Sequence, residues 1–287
     1  MHALLSRLPA AIYTSPPIVP VVRLAGTIGA LGPLRHGLTL AGVAEPLERA
    51  FRVPRARAVA LVVNSPGGSP VQSALIAGRI RDLAAEHELP VYAFCEDVAA
   101  SGGYWLACAA DRIYAAETSI VGSIGVVSAS FGFHDLLQRY GVERRLYTAG
   151  EKKVLLDPFS ETDPEEVERL KRLQREMHES FQRLVRERRR DRLKAGDDVL
   201  FSGEFWTGRR AVELGLIDGL GEVRRTLRER FGERVKLKRI EAHRPWLRRR
   251  LPFGGLEEAG AAVGGRDWAG ELLAAVEERA LWSRYGL

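Results

Sequence analysis

The chain has 287 residues, 46% of them hydrophobic, and a formal net charge of +6 with a pI near 9.5. This is an ordinary globular composition, long enough for one large domain or two small ones. Its two cysteines, Cys95 and Cys108, lie inside apolar runs without metal-ligand spacing, which excludes a disulfide framework and fits buried thiols in a reducing compartment.

The excess positive charge is concentrated in the second half, in "RLVRERRRDRLK" and "HRPWLRRRLPF". Such an asymmetry reads as a solvated face, with an anionic membrane surface as the alternative and no nucleic-acid partner expected. The first residues, "MHALLSRLPAAIYTSPPIVPVVRLAG", hold no apolar stretch near the roughly 20 residues of a spanning helix, and they make a poor signal peptide. The expected location is cytoplasmic, at most peripheral to a membrane.

Taken in chain order, "IVPVVRL" (18–24) is a β-branched strand ending at Gly26. "AVALVVNS" (58–65) is a buried strand stopped by Pro66, Gly67 and Gly68, and "VQSALIAGRIRDLAAEHELP" then has helical spacing. "VYAFCE" is a short strand, "GYWLACAA" an apolar helix, "RIYAA" a strand and "SIVGSIGVV" a Gly-punctuated strand or turn. Strands and helices alternating at this pitch predict βαβ crossovers and a mainly parallel sheet.

"TDPEEVERLKRLQREMHESFQRLVRERRR" opens with Asp163 as N-cap, Pro164 at the first helical position and acidic residues in the first turn. Val167, Leu170, Leu173, Met177, Phe181 and Leu184 then form an apolar stripe for a core or a subunit interface. "TGRRAVELGLIDGLG" predicts a further helix ending near Gly215. The domain reading is an N-terminal segment (1–17), a main domain (18–235), and a C-terminal part (236–287) with a strand, a basic segment and an amphipathic helix.

The chemistry concentrates in "EDVAASGGYWLACAA". Ser101, stripped of bulky neighbours, is either the N-cap of the helix that follows or a nucleophile with room for a carbonyl at its Oγ. The turn "NSPGG" follows a parallel strand and so falls at the same edge of the sheet, where its amides and that of Ser101 can serve as an oxyanion hole.

A nucleophilic serine needs a base, and none of the six histidines sits in a Gly-rich or apolar setting. A lysine in that role must be neutral near pH 7, a fall from about 10.4 to about 7–8 that requires burial. Lys152 and Lys153 are followed by "VLL" and "PF". In an extended segment one of the two points inward; on the residues alone, a surface pair is the reading to prefer.

The strings "NSPGGS", "ASGGYWLACAADRIYA", "GSIGVV", "GEKKVLLDPF" and "GEFWTGRRAVELGLIDGLG" together resemble the signal peptide peptidase family of serine proteases, over residues 18–235. The resemblance implies a Clp protease/crotonase-like α/β spiral of βαβ units with flanking helices, and a Ser-Lys dyad. In that reading Ser101 is the nucleophile, Lys153 the base (register set by Pro158 and Phe159) and Ser123 the serine orienting the lysine. Gly67, Gly68 and Ser101 would supply the oxyanion hole. It further implies a homo-oligomer acting on peptides or unfolded apolar segments, without metal or cofactor. The rival readings are a crotonase-type acyl-CoA enzyme and a non-catalytic membrane-surface scaffold. Members often carry a membrane anchor, for which this sequence shows no candidate.

Overall fold

Val59–Ser65 (β2) is buried at almost every position, as a strand must be when helices cover both faces of a parallel sheet. The computed structural model describes residues 15–29, 37–150, 152–241, 276 and 278–286. Around β2 lie Ile18–Ala25 (β1), Val91–Ala100 (β3), Arg112–Ala115 (β4), Ile120–Gly122 (β5), Phe205–Thr207 (β6), Gly219–Leu220 (β7) and Lys236–Ile240 (β8). The eight-stranded sheet runs β6-β5-β3-β2-β1-β8, with β4 joined to β3 and β7. Every pairing is parallel except β5 with β6. The mainly parallel α/β sheet with flanking helices is therefore the one expected. β8 pairs with β1, so the sheet continues across the expected boundary at 235/236.

Alternation along the strands splits the interior into two layers. Val22, Leu24, Leu61, Val63, Ala93 and Cys95 face one side, where they meet Leu40–Phe51 (α1), Pro70–Glu86 (α2) and Gly102–Cys108 (α3). Val19, Ala60, Tyr92 and Phe94 face the other, against Leu227 of Val223–Phe231 (α8). Helix α2 starts where its sequence allows, since Ser69 Oγ accepts from Gln72 N and Pro70 occupies the first turn. Burial pushes the Cys95 thiol up to about 12 and Cys108 to about 11, which keeps both protonated and unreactive.

Strand β3 runs ten residues, well past the "VYAFCE" of the sequence reading. Its exposed Glu96 and Asp97 end the apolar run without ending the strand. Asn64 spans the break, donating to Asp97 Oδ2 at 2.7 Å and accepting from Val98 N at 3.2 Å, while the register with β2 shifts. The first half of β3 pairs with β4 and the second half with β5. That division carries the end of β3 out to Ser101.

Helix Pro164–Arg189 (α5) starts as expected, with Asp163 Oδ1 accepting from Glu165 N at 2.8 Å. Its apolar stripe behaves differently. Phe181 and Val185 are buried, whereas Leu173 is 40% and Met177 43% exposed. Only the last turns reach the core, because the chain before them, including the short helix His134–Arg139 (α4), buries no residue against the sheet.

At the inner end of α5, Arg189 is 1% exposed. It donates to Asp218 Oδ2 at 2.7 Å and to Gly215 O at 3.0 Å. Burial by itself would raise the Asp218 carboxyl. The hydrogen bond and charge of Arg189, with the Ile113 amide and Arg112, outweigh it and hold the group below its usual range. Helices Asp197–Leu200 (α6) and Gly208–Glu213 (α7) complete the fold, the latter capped by Leu214 directly before Gly215, near which its end was expected.

The basic segment 244–253, with Trp246, Leu247, Leu251 and Phe253, and the predicted helical positions Trp268, Leu272 and Leu273 lie outside the described residues. Among the described residues no helix is long and apolar enough to cross a membrane.

Asp218→Asn removes the charge opposite a buried guanidinium and is expected to cost about 3–5 kcal/mol of stability. Because the folded carboxyl lies below its unfolded value of about 3.9, the pair's contribution is present above that pH and lost as the pH falls through the folded value. Urea melts at pH 7 and pH 3 check both points: the gap between wild type and variant should shrink at pH 3.

Candidate active site

Ser101 joins β3 to α3 with φ 52° and ψ −122°, a conformation that costs an L-residue roughly 1–3 kcal/mol. The surroundings enforce it. Ser101 N–H donates to Gly122 O at 2.8 Å, and Ser101 O accepts from Trp105 N at 3.0 Å. Although Ser101 stands at the N-cap position, its side chain makes no capping hydrogen bond. The geometry decides against the cap: a sharp strand-to-helix turn presents the hydroxyl outward.

The sequence reading assigned oxyanion donors to Gly67, Gly68 and Ser101, and two of these amides are already committed. Ser101 N–H serves Gly122, and Gly67 N–H points to Ser65 Oγ at 3.2 Å. Gly67 contributes closeness instead, since a Cβ there would sit 2.8 Å from Ser101 Cβ.

Ile28 N donates to Gly67 O and Ser69 N donates to Ile28 O, both at 2.8 Å. This parallel bridge turns the Gly68 amide away from Ile28, as the alternation of a parallel ladder requires. Gly102, the first residue of α3, has no intrahelical acceptor for its N–H. Among the described residues, the Gly68 and Gly102 amides beside Ser101 thus have no hydrogen-bond acceptor.

Ser101, Gly68 and Ser123 line one cavity of about 490 Å³. Ser123 follows β5 with φ 53°, held by its N–H to Glu204 O at 2.7 Å. Lys153 is not among the lining residues. The segment holding it is a turn, closed by Lys153 N to Gly150 O at 3.2 Å, so the inward/outward alternation of an extended strand does not apply. Both lysines are exposed, and Lys152 Nζ pairs with Glu165 at 3.2 Å.

Two contributions to the cavity escaped the sequence reading. His178 lines it, with Nε2 3.0 Å from Ile124 O. Its position three and seven residues before the buried Phe181 and Val185 was the available signal; the charged neighbours hid it. Leu281, Arg284 and Tyr285 form the other wall, and no local pattern links them to Ser101.

The sequence matches peptidase family S49 over residues 84–238. The chain belongs to peptidase family S49. Among relatives, a protein of Brucella abortus named Na(+)/H(+) antiporter NhaA is 55% identical over 94% of this chain. This chain spans only 37% of that protein's length. A putative signal peptide peptidase SppA of Enterococcus faecium is 32% identical over 58% of this chain and 47% of its own length. The chloroplastic serine protease SPPA of Arabidopsis thaliana is 32% identical over 73% of this chain and 31% of its own. The S49 match takes in Ser101, Ser123 and Lys153, and stops short of Gly67 and Gly68.

Relief of the backbone strain at Ser101 is testable without any substrate. Ser101→Gly should be more stable than Ser101→Ala by about 1 kcal/mol, because only alanine keeps a Cβ in the left-handed region. Thermal melts of the two variants compare them directly; a less stable glycine variant would show that the turn is not strained.

Proposed function

We propose that this S49 chain is a serine endopeptidase acting through a Ser-Lys dyad and an acyl-enzyme. The observation that carries the reading is the uncapped Ser101 hydroxyl in a strained turn, beside two amides without acceptors. A neutral Lys153 takes the Ser101 proton as Oγ bonds to the peptide carbonyl carbon. The resulting oxyanion accepts hydrogen bonds from the Gly68 and Gly102 amides, and Ser123 orients the lysine amine. Collapse of the tetrahedral intermediate expels the amine with the proton from Lys153. Water, deprotonated by the same lysine, then releases the acyl group. Extended or unfolded apolar peptides are the proposed substrates.

The single chain leaves Lys153 outside the Ser101 cavity. It lies in a stretch whose large apolar side chains are exposed, among them Phe131 at 79%, Tyr140 at 73% and Tyr147 at 89%. Such a patch suits burial against another copy, which supports a homo-oligomer in which this region closes over a catalytic cavity. A crotonase-type acyl-CoA enzyme fits less well, since no Asp or Glu is among the described lining residues. Peripheral contact with anionic membranes through residues 244–253 is a separate proposal, tested by salt-sensitive sedimentation with vesicles.

Fluorophosphonate should label Ser101, and Ser101→Ala should abolish peptide hydrolysis with the fold intact. Lys153→Ala should be inactive and Lys152→Ala largely active. Equal activity of the two lysine variants would remove Lys153 from the mechanism. Mixing the inactive Ser101→Ala and Lys153→Ala proteins, followed by subunit exchange, should restore part of the turnover if the lysine serves a neighbouring serine; no recovery would place the dyad within one chain.

A further inference from the structure

Residues 278–286 lie against the cavity that holds Ser101. Residues 278–283 are helical, and Tyr285 beyond them is only 9% exposed. Tyr285 packs with Val98 and Ala100, close before Ser101 on β3, and with Ile120 and Trp282. Its ring meets Phe205 edge-on at 5.1 Å between centroids. This anchor fixes the neighbouring residue, Arg284, at the cavity wall.

Arg284 is exposed and has no hydrogen-bond or ion-pair partner among the described residues. The cavity's other described side chains are Ser, His and apolar residues such as Pro66, Pro70, Val126, Val127 and Leu281, with no carboxylate to oppose the guanidinium. A fixed positive charge beside a nucleophile, in a cleft with apolar walls, is an attractive place for an anion and a repulsive one for an ammonium group.

We propose that Arg284 is a cationic subsite of the peptidase cleft, selecting peptides with an acidic side chain near the cleaved bond. The proposal rests on the peptidase reading above. The guanidinium fork matches a carboxylate in two parallel hydrogen bonds, and the buried Tyr285 next to it limits how far the charge can wander. The same charge penalises lysine and arginine at that substrate position, so discrimination has both an attractive and a repulsive part.

Internally quenched peptides with blocked ends, carrying Glu, Gln or Lys in turn at each position flanking the cleaved bond, test this with the full-length chain. At one position the wild type should favour Glu over Lys in kcat/KM by at least about fivefold, a ratio that falls as salt rises. Arg284→Gln should bring the ratio close to one, and Arg284→Glu should invert it. Tyr285→Ala should weaken the preference by releasing the anchor, with circular dichroism melts confirming that each variant is folded. Hydrolysis in which Glu and Lys are handled alike, or a preference that survives Arg284→Glu, overturns the subsite alone. No hydrolysis of any peptide, with Ser101 unlabelled by fluorophosphonate, overturns the peptidase reading and the subsite with it.

Discussion

One L-residue held in the left-handed region, Ser101, organises the edge of the sheet at which the strand ends meet. Ser101 can keep φ at 52° only because its amide is tied to Gly122 and Gly67 presses against its Cβ without a side chain of its own. Three strand ends must therefore converge at one place, those of β2, β3 and β5. The same convergence leaves the Gly68 and Gly102 amides without an acceptor among the described residues beside the hydroxyl. Strain, hydrogen-bond geometry and the open amides are consequences of a single turn, and the parallel sheet beneath it supplies the rigidity that holds the strain.

The second organising contact is far from the serine. Arg189 and Asp218, with Arg112 also donating to Asp218 at 3.0 Å, pin the end of α5 to the β4–β7 side of the sheet. Tyr104 of α3 donates to Leu216 O at 2.6 Å in the same region. From that fixed point α5 extends outward, so Phe181 enters the core, His178 reaches the cavity rim, and Leu173 and Met177 emerge uncovered. The helix is anchored at one end, and along its free, mostly charged length only Leu173 and Met177 stand exposed among its large apolar side chains. The aromatics Phe131, Phe133, Tyr140, Tyr147 and Phe159, which precede α5 in the chain, are exposed as well. The single chain is thus most tightly packed around Ser101 and most open around Lys153.

The charge asymmetry of the sequence takes a specific form at the cavity. Most arginines of α5 and α8 are paired on the surface or spent on backbone carbonyls, as Arg188 is on Cys108 O at 3.0 Å and Ala110 O at 3.0 Å. Arg284 is different, because it borders a cavity with no carboxylate among its described lining residues. Net charge says little about recognition until the charges that remain unpaired at a site are known.

By itself the sequence determined the elements whose signals are local. Apolar runs closed by Pro and Gly gave β1 and β2, helical spacing gave α2, Asp163-Pro164 started α5, and the small residues around Ser101 marked the turn. These depend on neighbours a few positions away, and so they are legible in a linear string. What only the tertiary structure decided depends on groups far apart in the chain. The amide of Ser101 is taken by Gly122, which moves the free donor to Gly102. β3 runs on past Glu96 and Asp97 because Asn64 of another strand bridges the break. The lysine segment closes into a turn instead of extending, and α5 buries only its inner end. The last wall of the cavity comes from Tyr285 and Arg284, brought to Ser101 by packing that no periodicity encodes.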